Sequence, residues 1–247
     1  MSKKSEAPSN RKAGRRSPLA TVALLTIGLL STGGAYALFT TSATAETSAA
    51  ADAQIEEGGK LFAANCATCH GMALQGTSQA PSLIGVGAAA VDFQVGTGRM
   101  PLAATGPQGE QKPVQFTAEQ ISALSAYVAS RGTGPGIPDE KYLQGDGDAA
   151  VGAELFRINC AMCHNVAGAG GALTEGKFAP PLSGVEPAYI YEAMVTGPQS
   201  MPVFNDANLT AESKRDIIAF LTTIDEQESP GGMTLGSGRK VRLELAG

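Results

Sequence analysis

Tryptophan is absent from this chain of 247 residues, and only five tyrosines and eight phenylalanines supply aromatic side chains. A domain with so few large side chains must fill its interior in another way, and a bound planar cofactor would do so. Histidine is also scarce, at two residues, and there are four cysteines. The length allows one or two small domains, and the composition favours domains built around a bound group.

Positive charge is scarce outside the N-terminus. Residues 1–17 hold six basic residues and one acid, whereas residues 46–230 hold 21 acidic and nine basic residues. Because an acidic body repels phosphate backbones, this distribution argues against nucleic acid as a partner. The acidic surface could select a basic partner or could serve only for solubility.

Charge is missing altogether from residues 17–45. Leu19–Phe39 is long and apolar enough for one helical crossing of a bilayer, and the basic residues before it place the N-terminus in the cytoplasm. A cleaved signal peptide ending at Ala37 or Ala45 is the alternative. We therefore predict a basic cytoplasmic head at 1–17, a transmembrane anchor or signal segment at 18–39 and a flexible tether at 40–53. The remainder would then lie on the extracytoplasmic side of the cell membrane.

The rest of the chain contains an internal repeat. Residues 58–69 (GGKLFAANCATC) match residues 152–163 (GAELFRINCAMC), and later features recur in the same order. We place the first repeat at 54–131, a Gly/Pro/Asp-rich linker at 132–149, the second repeat at 150–228 and a tail at 229–247. Apolar spacing predicts helices at 54–66 and 150–160, and Thr117 and Thr210 are expected to cap the last helix of each repeat.

Every cysteine and histidine belongs to one of two CxxCH motifs. The first is Cys66 to His70 (CATCH) and the second is Cys160 to His164 (CAMCH), so the thiols are Cys66, Cys69, Cys160 and Cys163. Two thiols at this spacing can add to the two vinyl groups of one haem, and the adjacent histidine then ligates the iron. Local disulfides of a thioredoxin-like domain and zinc binding were the alternatives. The first lacks a βαβ context, and zinc motifs usually place the second ligand pair well downstream.

Each haem needs a second axial ligand, and no histidine is left to supply one. Met100 and Met201 follow their histidines by 30 and 37 residues, occupy equivalent positions in the repeats and each precede a proline. The simplest other role for a methionine is core packing, which suits Met194. We therefore predict the axial pairs His70/Met100 and His164/Met201, which favour electron transfer over a dihaem peroxidase because no iron position stays open.

Pro81 and Pro180 lie where small c-type cytochromes place a proline whose carbonyl accepts the N–H of the proximal histidine. A generic turn is the alternative at both positions. The predicted fold class is mostly α: a tandem repeat of two small cytochrome c-type, class I-like haem domains after an N-terminal hydrophobic helix.

The sequence around both motifs is specific enough to indicate one protein family. The segments CATCHGMALQGTSQAPSLIGVG, FQVGTGRMP, GAELFRINCAMCHN, GKFAPPL and MVTGPQSMP, within residues 55–232, resemble the dihaem cytochrome c subunit of the actinobacterial-type cytochrome bc complex. The resemblance implies two covalently bound haems c in a menaquinol:cytochrome c oxidoreductase with cytochrome b and Rieske iron–sulfur subunits. One haem would accept electrons from the Rieske protein, and the other would pass them to a terminal oxidase in a supercomplex. The chain would belong to an enzyme without having a substrate site of its own.

The C-terminus departs from that family, in which a transmembrane helix follows the second haem domain. Residues 237–247 (SGRKVRLELAG) are short and charged and cannot span a bilayer. We expect that the family helix is missing from this chain. A free-standing, membrane-tethered dihaem carrier for another oxidoreductase is the alternative function.

Overall fold

The computed structural model describes residues 18–104 and 106–226, except for the side chains of residues 35 and 37–47. The predicted basic head at 1–17 and the predicted tail at 229–247 lie outside the described residues. Those described fall into two compact units, which divide between Asp52 and Ala53. The second unit holds both repeats.

The first long element is helix α1, Pro18–Asn65. It runs through residues 40–53, the stretch predicted as a flexible tether. Six alanines and no Gly or Pro occur in that stretch, and alanine has the highest helix propensity of all residues. Within the described part of the chain, no helix combines the length and the apolar character needed to cross a membrane, so the predicted span is not confirmed.

Each repeat is built from short helices around one apolar cluster, which confirms the mostly helical prediction. The first repeat uses the end of α1 with α2 Ala67–His70, α3 Ala88–Gly96 and α4 Ala118–Ala129. The second uses α5 Ala149–Asn159, α6 Ala161–His164, a two-stranded antiparallel hairpin of β1 Gly171–Ala172 and β2 Phe178–Ala179, α7 Pro187–Thr196 and α8 Ala211–Glu226. Single 3₁₀ turns lie at Glu140–Tyr142 and Thr174–Gly176.

The predicted caps of α4 and α8 are present. Thr117 accepts a hydrogen bond from the Gln120 backbone N–H at 3.3 Å, and the Gln120 side chain accepts from the Thr117 N–H at 3.0 Å, which completes a capping box. Thr210 accepts from the Ser213 N–H at 3.2 Å. These bonds satisfy backbone donors that the first helical turn leaves unpaired, so both helices begin where the sequence predicts.

The first and last helices of each repeat cross at a glycine. A Cβ on Gly58 in α1 would overlap the backbone carbonyl of Ala123 in α4, and one on Gly152 in α5 would overlap the carbonyl of Asp216 in α8. The two glycines occupy equivalent positions in the repeats. Close backbone approach therefore explains why both positions carry glycine.

The two repeats also pack against each other. Helix α3 of the first repeat contacts α7 of the second, and the Phe93 ring meets the Tyr189 ring edge to face, with centroids 6.4 Å apart. Beyond α3, the loop between α3 and α4 reaches the second repeat, where Gln108 Oε1 accepts the Phe178 N–H at 2.9 Å. The Gly109 N–H donates to Gln199 Oε1 at 3.2 Å. This loop brings residues of the first repeat to the candidate site of the second.

Candidate haem sites

Each CxxCH motif folds as one helical turn. The His70 N–H donates to the Cys66 carbonyl at 3.0 Å, and the His164 N–H donates to the Cys160 carbonyl at 2.9 Å. All four thiols are free. Residues three apart on a helical turn lie on the same face, so each pair of thiols faces one side, as attachment to one haem requires.

The two histidines are oriented in the same way. His70 Nδ1 lies 2.9 Å from the Pro81 carbonyl, and His164 Nδ1 lies 3.0 Å from the Pro180 carbonyl. Because a carbonyl only accepts, Nδ1 must carry the proton, which leaves the Nε2 lone pair free for a metal. The predicted proline contacts are thereby confirmed, and both rings are held in the tautomer that an axial ligand needs.

His164 is more buried than His70, with 9% of its surface exposed. Burial lowers the pKa of His164, and the hydrogen bond to Pro180 opposes that shift in part. A lowered pKa keeps the imidazole neutral, and a metal binds only the neutral ring. The environment of His164 therefore suits an iron ligand.

The first cysteine of each motif lies among apolar side chains, with Cys160 buried and Cys66 half-buried. Burial, assisted by the neighbouring cysteine of the motif, raises the pKa of Cys66 and of Cys160 to about 11. A charged thiolate is disfavoured in such a place, whereas an uncharged thioether is well accommodated. This environment fits covalent attachment of haem at both positions.

Both predicted methionine ligands share an apolar cluster with the first cysteine of their repeat. Met100 and Cys66 both pack against the buried cluster of the first repeat, and Met201 packs against the cluster that includes Cys160. The alternative of core packing suits Met194, which is 2% exposed in the core of the second repeat. The roles of Met100 and Met201 at the iron stay predictions.

A cavity of about 340 Å³ lies in the second repeat. Its lining includes Cys160, Cys163, His164 and Met201, which brings together the four residues predicted to hold the second haem. Pockets for small molecules and cofactors occupy about 300–1,000 Å³ and are mostly apolar with a few polar groups. The volume of the cavity falls within that range, and its donors are those that a covalently bound haem needs.

Sequence reasoning missed one part of this cavity. Its lining also includes residues of the first repeat, among them Phe93, Thr97, Arg99, Gln108 and Gln111. The repeat pattern suggested two self-contained domains, and no local signal marks these residues as neighbours of the second CxxCH motif. Only the packing of α3 and its following loop against the second repeat brings them there.

A cluster of acidic groups at the same interface was also missed. Glu192 of α7 is fully buried, and its carboxyl group lies close to that of Asp92 in α3. Burial, followed by the negative charge of Asp92 in α3, raises the pKa of Glu192 to about 9. Burial also raises the pKa of Asp92 and of Tyr189, with Glu186 adding to both shifts. Glu192 therefore carries a proton at neutral pH.

Comparison with known proteins agrees with this arrangement. Residues 55–132 match the family described as "Cytochrome c", and residues 147–221 match the family described as "Cytochrome C oxidase, cbb3-type, subunit III". The two matches cover one repeat each. The fold and the paired motifs thus define a tandem c-type cytochrome.

Similar whole proteins narrow the assignment. The "Cytochrome bc1 complex cytochrome c subunit" of Corynebacterium efficiens is 45% identical over 244 residues, which cover 92% of this chain and 82% of that protein. The proteins of the same name from Mycobacterium leprae and Mycobacterium tuberculosis are 44% and 45% identical over 222 residues, or 86% of this chain and 76% and 79% of theirs. The chain belongs to the family of cytochrome bc1 complex cytochrome c subunits.

Proposed function

We propose that this chain transfers electrons through two covalently bound haems c, as the cytochrome c subunit of a respiratory cytochrome bc complex. The observation that carries the proposal is the repeated geometry of the histidines: in each repeat, a proline carbonyl fixes the Nδ1 proton and leaves Nε2 free. Family membership supplies the complex in which such a carrier would work.

The chain's own residues would hold the two haems in the same manner. Cys66 and Cys69 would form the thioethers of the first haem, and Cys160 and Cys163 those of the second. His70 and His164 would bind iron through Nε2, and Met100 and Met201 would each supply a second ligand. A haem with histidine and methionine ligands supplies one-electron transfer at an iron without an open position for substrate.

We also propose the redox partners of this chain and its location at the membrane. The donor would be the Rieske iron–sulfur protein of a menaquinol:cytochrome c oxidoreductase that also contains cytochrome b, and the acceptor a terminal oxidase in a supercomplex. The repeats would lie on the extracytoplasmic side of the cell membrane, with the N-terminus in the cytoplasm. The charge asymmetry between residues 1–17 and 46–230 supports this orientation.

A pyridine haemochrome assay combined with intact mass on the purified chain tests the cofactor. We expect two haems per polypeptide, bound through thioethers, and the mass also shows whether residues 1–45 are retained. One haem or none would contradict the proposal. Extraction in mild detergent tests the complex: co-migration with a cytochrome b is expected, and migration as a lone haem protein would favour the free-standing carrier.

A further inference from the structure

Arg99 of the first repeat lines the cavity of the second repeat. It lies beyond the end of α3 and is 9% exposed. Among the described residues that line the cavity, it is the sole Lys or Arg. A guanidinium is thus present at the cavity that holds Cys160, His164 and Met201.

The charge of Arg99 has no carboxylate partner within the described part of the chain. No Asp or Glu described there lies within ion-pair distance of it. The guanidinium lies over the Phe93 ring, whose centroid is 4.9 Å from Cζ. A guanidinium stacked on a ring keeps its in-plane N–H donors free. A buried cation of this kind is costly unless an anion pairs with it.

Hydrogen bonds hold the backbone on both sides of Arg99. The Lys112 ammonium donates to the Gly98 carbonyl at 2.7 Å, and the Met100 N–H donates to the Gln94 carbonyl at 2.8 Å. These bonds fix the residues on both sides of Arg99. With its backbone held and its guanidinium against the Phe93 ring, Arg99 needs little reordering to bind an anion.

The first repeat contributes the more polar part of the lining. Thr97, Gln108 and Gln111 accompany Arg99 there, whereas the second repeat supplies mostly apolar side chains. A haem carries two propionate carboxylates on an otherwise apolar ring, and arginine binds carboxylates with two parallel hydrogen bonds. Resting on the proposed function, we infer that Arg99 binds a propionate of the haem held by the second repeat.

This contact would connect the two haem sites through neighbouring residues. Met100, the predicted iron ligand of the first haem, directly follows Arg99, and consecutive Cα atoms are about 3.8 Å apart. One peptide unit would then join a ligand of the first haem to a residue that binds the second. Such a connection suits transfer of electrons between the two sites.

The experiment uses the full chain, first shown to carry two haems, so that failure of the proposed function is detected before this inference is tested. Redox titration resolves two steps, and the variant Met201→His marks the step of the second haem because it replaces the predicted ligand there. Arg99→Gln removes the positive charge. Its matched control is Arg131→Gln, since Arg131 also stacks on a ring of the first repeat, 4.8 Å from the Tyr127 centroid, but does not line the cavity.

We expect Arg99→Gln to shift the second-haem equilibrium toward the oxidised form by on the order of tenfold, or about 59 mV for one electron. Arg99→Lys should shift it less, and Arg131→Gln should leave it unchanged. An unchanged second step in Arg99→Gln would overturn the inference. So would a shift confined to the first step, which would mean an effect through Met100, or an equal shift in Arg131→Gln.

If Arg99→Gln does not accumulate with two haems, the redox titration of Arg99→Lys tests the inference instead. Lysine keeps the charge but cannot form the two parallel hydrogen bonds. The inference requires the second step of Arg99→Lys to move while that of Arg131→Lys stays in place. A second step that does not move in Arg99→Lys would overturn it.

Discussion

The two repeats share their motif, caps and helix crossing, but they differ in their connecting segments. The Pro81 carbonyl comes eleven residues after His70, whereas Pro180 comes sixteen after His164 because a hairpin is inserted. The second repeat also has two extra residues before Met201. In the first repeat, the segment between the predicted methionine ligand and the last helix is the longer one.

The segments that differ between the repeats contact each other at the interface. Gln108, in the long segment of the first repeat, accepts a hydrogen bond from Phe178 in the inserted hairpin. Gln199, in the two-residue insertion, accepts from the Gly109 N–H. The shared parts of the repeats thus build two similar haem sites, and the parts that differ join those sites to each other.

The largest effect on stability is expected from substitutions at the glycine where the first and last helices of each repeat cross. Gly58→Ala or Gly152→Ala would force a Cβ into a backbone carbonyl, which costs about 1–3 kcal/mol of unfolding free energy or more. If the repeats fold separately, each variant should lose only its own haem. Thermal unfolding and the haem count per chain measure both effects.

Gly136→Ala is the control for these crossings, since no atom lies within 4 Å of the added Cβ. Loss of both haems from either crossing variant would show that the repeats fold as one unit. Wild-type stability in Gly58→Ala and Gly152→Ala would contradict the close approach itself.

The next effect concerns the predicted iron ligands. Met100→His and Met201→His should each lower the reduction potential of one haem, within the range of about 0.8 V that axial ligands set. Redox titration followed by optical spectroscopy measures the two steps. Met72→His is a matched control because Met72 is 68% exposed. A fall in potential in that variant, or none in the other two, would contradict the ligand assignment.

Glu192 gives the interface a pH dependence that the separate repeats would lack. Its pKa is raised to about 9 in the folded chain, so folding retains a proton that the unfolded chain releases at lower pH. Stability from this group is therefore full at acid pH and is lost as pH rises toward 9, by at most about 1.4 kcal/mol per pH unit. Denaturant unfolding of wild type and Glu192→Gln at pH 6 and pH 9 measures the difference.

The stability advantage of Glu192→Gln over the wild type should grow between pH 6 and pH 9, because the unfolded glutamate ionises above about 4.5 and the folded one only near 9. Glu154→Gln, at an exposed position of α5, should change neither value. A wild-type stability that does not fall between these pH values, relative to Glu192→Gln, would contradict the role given to Glu192.

The smallest effect should come from the hydrogen bonds of the connecting segments. Gln108→Ala and Gln199→Ala each remove one bond between the repeats, worth about 0.5–1.5 kcal/mol. Amide hydrogen exchange should become faster at Phe178 in the first variant and at Gly109 in the second. Gln144→Ala is the control because its side chain bonds only within its own segment. Unchanged exchange at both amides would show that these bonds do not join the repeats.

Much of each haem site could be predicted from the sequence because it depends on local chemistry. The spacing of Cys66, Cys69 and His70 fixes one helical turn, and each histidine finds its proline carbonyl eleven or sixteen residues further along the chain. The caps at Thr117 and Thr210 likewise depend on residues three positions apart. Residues 40–53 have the small polar residues of a tether, but they are also rich in alanine and lie within α1, since alanine has a high helix propensity.

The sequence by itself determined two c-type haem motifs, their repeat and the helices that carry them, since these features repeat or lie close together in the chain. Only the tertiary structure decided that the cavity of the second repeat is completed by the first. Arg99 and Gln108 reach it, and Glu192 is buried beside Asp92, because α3 packs against α7. Contacts between segments so far apart depend on how two folded surfaces fit together, and no local spacing encodes that fit.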